Sequence, residues 1–193
     1  MATRIAIIDG HPDRDRSHFV HALADAYADG AKEAGHDVRM VTVAELDFPI
    51  LRSPAEWMEQ RIPPGLADAA EAIAWAEHLV LLYPLWLGDV PALFKGFLEQ
   101  VARPGTAFRH RGRGLPEKLW KGRSARVTVT MGMPGLFYRL VYRAHSLKSL
   151  ERNILKFVGV KPVRSTIIGM VEGSGETRAD WLAHVHKLGE GAS

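Results

Sequence analysis

The sequence predicts an α/β fold: one doubly wound domain over residues 1–193, built on a five-stranded parallel sheet. Three observations predict it. Apolar runs without alternation, such as Ile5–Ile8 and Leu79–Tyr83, suit strands buried on both faces. Segments with apolar residues at three- and four-residue spacing separate the runs and read as helices. The composition, 47% hydrophobic and 24% charged over 193 residues, supports one globular core of ordinary size. Strands alternating with helices imply right-handed crossovers, and five of them suit the strand order 2-1-3-4-5.

The elements follow in order. Arg4–Asp9 (RIAIID) is the first strand, and Gly10–Arg16 a polar loop. Ser17 is the expected N-cap of a helix over His18–Ala34, which carries Phe19, Val20, Leu23, Ala24 and Tyr27 on one side. Gly35 stands where that helix should end. Asp37–Val43 alternates as the next strand. Asp47–Pro64, with four prolines, reads as an irregular excursion, and Leu66–Glu77 as an Ala-rich helix. Leu79–Tyr83 is the third strand, stopped by Pro84. Pro84–Val90 is then a loop, Pro91 the first helical position, and Asp89 a cap or charge match for the helix start. Ala92, Leu93, Phe97, Leu98 and Val101 form that helix's apolar face. Ala102–Arg126 is a connection long enough to carry function. Ala125–Met131 is the fourth strand, Leu136–Val158 one long helical run, Val163–Met170 the fifth strand and Thr177–Leu188 a closing helix.

Several function classes drop out. There is no Cys, hence no disulfide frame, thiol nucleophile or thiolate metal site. A reducing cytoplasm fits that absence. No apolar run approaches the roughly 20 residues of a membrane span, and MATRIAIIDG lacks a signal-peptide layout. A net charge of +3 is too small to argue for nucleic acid. Nine histidines give no metal site: His184 and His186 point to different helix faces, and no carboxylate completes His18 and His21.

In the 2-1-3-4-5 order, the loops after the first, third and fourth strands converge on one crevice at the carboxyl ends of the strands. The first loop runs into a helix N-terminus, with His11, Ser17 and His18 as donors. That suits a phosphate or simply a capped helix. Neither a dinucleotide glycine fingerprint nor a triphosphatase loop is present. Trp86 is either a plug in its loop or a platform for a flat ring. Eight basic residues between Arg103 and Arg126, Arg113 among them, face one acid, Glu117. They form a solvated surface or a steering patch for a reduced nicotinamide phosphate. Tyr138, Tyr142 and His145 stand at i, i+4 and i+7. They make a proton-handling stripe over the crevice or an aromatic stripe at a subunit contact.

Together these motifs resemble the flavodoxin-like NAD(P)H:quinone reductase family, including its potassium-efflux ancillary members. The most specific part is P-L-x-x-x-x-V-P-A-L-x-K-G-F at Pro84–Phe97, joined by HPDRDRSHF from His11 and by the turn Thr130–Pro134. The resemblance implies a flavodoxin-like sheet and a bound flavin, FMN with FAD as the alternative. NAD(P)H would be co-substrate, a quinone the acceptor, and the assembly a homodimer with its site at the interface. His11, Ser17, His18, Phe19 and Val20 would hold phosphate. Pro84, Leu85, Trp86 and Leu87 would wrap the ring. Thr130, Met131, Gly132 and Met133 would offer backbone groups to its polar edge. Tyr138 falls on the family's catalytic tyrosine, His145 within one residue of its catalytic histidine, and Phe108 on a substrate-pocket position. The ancillary members supply a second expectation, a flavin-binding regulatory subunit of a transport system with little turnover. Two departures stand out: Trp86 comes one position early, and Met133–Pro134 breaks the family's glycine pair.

Overall fold

The computed structural model describes residues 1–112 and 114–193; Arg113, one of the cations of the long connection, lies outside the described residues. Five strands form an all-parallel sheet: β1 (Arg4–Asp9), β2 (Asp37–Thr42), β3 (His78–Pro84), β6 (Ser124–Thr130) and β7 (Val163–Ile168). Their order, β2-β1-β3-β6-β7, is the expected 2-1-3-4-5 once the two-residue hairpin strands β4 (Phe108–Arg109) and β5 (Glu117–Lys118) are set aside.

The apolar runs become two cores because strand side chains alternate between faces. Ile5, Ile7, Val80 and Leu82 meet α1 (Phe19–Glu33) and α8 (Gly175–Glu190) on one face. Ala6, Ile8, Leu79, Leu81 and Tyr83 meet α3 (Ala67–Trp75) and α4 (Ala92–Val101) on the other. Helices α1 and α8 approach closely through glycine. A Cβ on Gly30 would stand 2.1 Å from the His186 carbonyl oxygen, and one on Gly189 2.2 Å from that of Tyr27.

Local expectations fail where side chains intervene. Ser17 does not cap α1: its amide donates to the Asp15 carboxylate at 2.9 Å, Arg16 and Ser17 form a turn, and the extended His18 is the actual N-cap. β3 does stop at Pro84, which is itself its last residue and pairs with Thr130. Pro91 is the N-cap of α4 rather than its first residue, and its carbonyl accepts from Lys95 N. Asp89 serves its own turn, accepting from the Val90 amide at 2.8 Å. The Asp47–Pro64 excursion holds one short helix, α2 (Pro54–Met58), whose first turn Ser53 caps through Glu56 N.

The run Leu136–Val158 is not one helix. It divides into α5 (Gly135–Leu140), α6 (His145–Ser149), a π-helical segment (Leu150–Leu155) and α7 (Lys156–Val158). The break lies at Arg143 and Ala144, both left-handed at φ 52° and 46°. Such angles cost a non-glycine residue about 1–3 kcal/mol unless other contacts hold it. Here the Tyr138 carbonyl accepts from Ala144 N at 3.1 Å, and the buried Tyr138 hydroxyl accepts from Leu147 N at 3.2 Å.

Two measurements test this packing. Gly189→Ala should lower unfolding stability by about 1–3 kcal/mol in urea titrations, since α8 must move off α1. His78, buried at the amino end of β3 and bonded to Ser124 Oγ at 2.7 Å, is pushed down to about 4, first by burial and then by Arg126. The unfolded chain therefore takes up a proton near the ordinary pH 6.5 and the folded chain does not. Stability should drop by roughly 3 kcal/mol as pH falls from 6.5 to 4, and His78→Gln should flatten that slope.

Candidate active site at three converging loops

The sheet brings the ends of β1, β3 and β6 side by side, and backbone bonds tie their loops together. Gly10 N donates to Leu82 O at 2.7 Å, and Leu85 N to Thr130 O at 2.8 Å.

The first loop is organised by Asp9, 1% exposed at the end of β1. One carboxylate oxygen accepts from the His11 amide at 3.1 Å, and the other pairs with Nδ1 of the fully buried His21. His21 Nε2 meets the Asp13 carbonyl at 3.0 Å. The His21 ring thus bridges the end of β1 to the Asp13 backbone through both of its nitrogens. His11 Nδ1 accepts from Asp13 N at 3.1 Å, which makes His11 a neutral Nε2–H tautomer. Burial, helped by neighbouring His18, lowers its proton affinity in the same direction. His18 stacks on His11 with centroids 4.1 Å apart and reaches the Asp13 carboxylate at 3.1 Å. Asp13 and Asp15 lie below the usual carboxylate range, held there first by the amides of Asp15 and Ser17.

The second loop is a tight hairpin. Trp86 and Asp89 exchange both backbone bonds at 2.9 Å, with Leu87 and Gly88 left-handed at φ 48° and 80°. Two positive φ values make a turn matched to strand twist. The turn leaves the Trp86 ring 50% exposed, edge-on to His11 at 6.2 Å, and puts Leu87 at the open tip. Trp86 is therefore no buried plug.

In the third loop, Thr130 O, Met131 N and the carbonyls of Met131 and Met133 are taken by Leu85, Ile168, Val171 and Met170. Gly132 is exposed, and a Cβ there would meet nothing within 4 Å. Tyr138 is fully buried, with its hydroxyl 2.7 Å from Ser146 Oγ. Tyr142 is the phenol at the surface, its ring 3.9 Å from where a Gly88 Cβ would stand. His145 is exposed, with Nδ1 3.1 Å from the Tyr142 carbonyl, which leaves Nε2 free.

The structure thus gathers His11, His18, Trp86 and Tyr142 around one crevice and seats Tyr138 under its rim. Phe108 lies elsewhere. It is buried in the wall of a cavity of about 620 Å³, with Trp57, Leu98 and Phe157. The sequence reading gave His18 and His21 no carboxylate, yet Asp13 meets the first and Asp9 the second; an acid ending a buried strand was the available signal for Asp9.

The donor set fits a phosphate-tailed planar ring. The first-turn amides of Phe19 and Val20 have no intrahelical acceptors, Ser17 adds a hydroxyl, and the helix dipole favours an anion there. The indole offers a face, and Gly132 open space.

A sequence profile of the family described as "Flavodoxin-like fold" matches residues 3–190. An uncharacterized NAD(P)H oxidoreductase of Haemophilus influenzae is 30% identical over 84% of this chain and 82% of its own length. An FMN-dependent NADH:quinone oxidoreductase of Nitratidesulfovibrio vulgaris is 28% identical over 87% of this chain and 86% of its own. The solved NAD(P)H:quinone oxidoreductase from Methanothermobacter marburgensis superposes with a TM-score of 0.82 at 26% identity, covering 100% of both chains.

Asp9→Ala should cost about 1–3 kcal/mol of unfolding free energy by leaving the His11 amide and His21 Nδ1 without their buried partner. Chemical denaturation checks this, and an unchanged stability would mean that the carboxylate does not hold the loop.

Proposed function

The chain belongs to the flavodoxin-like fold family, and from that premise we propose that it is an FMN-dependent NAD(P)H:quinone oxidoreductase. The observation that carries the reading is the juxtaposition, in one crevice, of a helix N-terminus, the exposed Trp86 ring and the open backbone of Gly132. FMN is favoured over FAD because the crevice presents one helix N-terminus for one phosphate, and because a relative covering most of the chain is described as FMN-dependent. When bound, FMN would supply the two-electron redox chemistry that links NAD(P)H to a quinone.

The chain's own groups bind and orient. Ser17 Oγ and the amides of Phe19 and Val20 would hold the phosphate, with His18 beside them. The exposed Trp86 ring would offer a face to the flat ring, and the amides of Gly132 and Met133 would be donors to it. Tyr138 holds the turn that carries His145. The His145 ring keeps a proton on Nδ1 against the Tyr142 carbonyl and presents Nε2 to the crevice. Because both substrates use one crevice, they alternate, and double-reciprocal plots should be parallel. The chain pairs as a homodimer through the apolar wall around Trp57, Phe108 and Phe157, which sets Phe108 at the partner's crevice.

Purified protein loaded with FMN should bleach on adding NADH or NADPH and recover its colour on adding a quinone. A protein that takes up no flavin would end the reading. Trp86→Ala should weaken FMN binding by roughly tenfold through lost ring contact. His145→Ala should lower kcat by roughly ten- to a hundredfold with FMN affinity unchanged, and an unaltered kcat would remove His145 from the reaction.

A further inference from the structure

Reducing a quinone to a hydroquinone takes two electrons and two protons. On the quinone-reductase reading above, on which this inference rests, NAD(P)H supplies a hydride equivalent, which is both electrons and one proton. The second proton must reach the acceptor inside the crevice, from a side chain able to release one.

One phenol is placed for this. Of the four tyrosines, Tyr27, Tyr83 and Tyr138 are at most 1% exposed, while Tyr142 is 38% exposed. The Tyr138 hydroxyl is already committed: Leu147 N donates to it at 3.2 Å, which leaves its single proton for Ser146 Oγ at 2.7 Å. Tyr142 stands just before the left-handed residues Arg143 and Ala144, and neighbours fix its ring. The ring stacks on Tyr138 with centroids 6.3 Å apart, meets Phe137 edge-on at 5.9 Å, and lies beside Gly88 in the hairpin that carries Trp86. Other groups at the crevice suit the role less. His11 is buried, and His18 Nε2 is held by the Asp13 carboxylate at 3.1 Å. The guanidiniums of Arg139 and Arg143 do not release protons. His145 keeps its proton on Nδ1 against the Tyr142 carbonyl, so its Nε2 accepts, and Tyr142 is the complementary donor on the same turn.

We propose that Tyr142 is a catalytic residue that touches the acceptor: its hydroxyl donates a hydrogen bond to one quinone carbonyl and gives that oxygen its proton. The phenol O–H bond breaks and a hydroquinone O–H bond forms, while the hydride equivalent from NAD(P)H goes to the other carbonyl oxygen. The phenolate left behind recovers its proton from water.

Tyr142→Phe keeps the ring contacts and removes the hydroxyl. Without NAD(P)H the oxidised, FMN-loaded protein cannot turn over, so calorimetry with 1,4-naphthoquinone-2-sulfonate reads binding alone. The dissociation constant of that probe should rise roughly fivefold in the variant, for one lost hydrogen bond. With NADH present, the ratio of naphthoquinone turnover to ferricyanide turnover should fall on the order of a hundredfold, because ferricyanide accepts an electron and no proton. An unchanged ratio, or an unchanged dissociation constant, overturns the proposal while the quinone-reductase reading stands. So does a loss of FMN affinity in the variant, which assigns the phenol to the cofactor instead of the acceptor. Wild-type protein that takes up no flavin, or is bleached by neither NADH nor NADPH, ends that reading and this inference with it.

Discussion

A carboxylate shut away from water at the end of a central strand constrains everything above it. Asp9 cannot stay charged there unless it is met by donors on both oxygens, and the His11 amide and the His21 ring meet it. His21 in turn holds the Asp13 carbonyl, and Asp13 holds His11 and His18. The first loop is therefore folded over its own charges before any ligand arrives. Its remaining free donors, at Ser17, Phe19 and Val20, lie on the side where α1 begins. Little ordering entropy is left to lose on binding an anion there.

The sheet separates stability from chemistry. Glycine contact between α1 and α8 and the alternating cores on the two faces hold the strands, and the amino ends of the strands keep buried groups such as neutral His78. The carboxyl ends bear the irregular backbone: the left-handed pair at Leu87–Gly88 and a second at Arg143–Ala144. Each turn is secured by bonds within its own segment, the first by the Trp86–Asp89 pair and the second by Tyr138. Each also brings a side chain to the crevice mouth, Trp86 in one case and His145 in the other. Strain gathered at a ligand cleft is what a preformed binding site requires.

Much of this was legible in the residues alone. The five strands and their order followed from apolar runs whose lengths and spacing leave few alternatives, and the convergence of three loops followed from the order. What escaped was set by tertiary hydrogen bonds. Nothing between Leu136 and Val158 is glycine or proline, so the apolar period ran unbroken on paper. The interruption comes from a buried tyrosine hydroxyl claiming Leu147 N. Ser17 looked like a cap because the competing Asp15 carboxylate shows itself only in three dimensions. Phe108 was placed at the crevice by resemblance, yet within one chain it lines another cavity, and only a partner subunit could bring it there. Trp86 was left open between plug and platform, and its exposure favours the platform.

The central claim is that the start of α1 receives the phosphate of FMN. Comparing dissociation constants of the apoprotein for FMN and for riboflavin, which has the ring and lacks the phosphate, tests it most directly. FMN should bind tighter by roughly a hundredfold, as two charge-assisted hydrogen bonds of about 1.5 kcal/mol each would provide. Equal affinities would mean that the helix start plays no part in holding the cofactor, and would contradict the account.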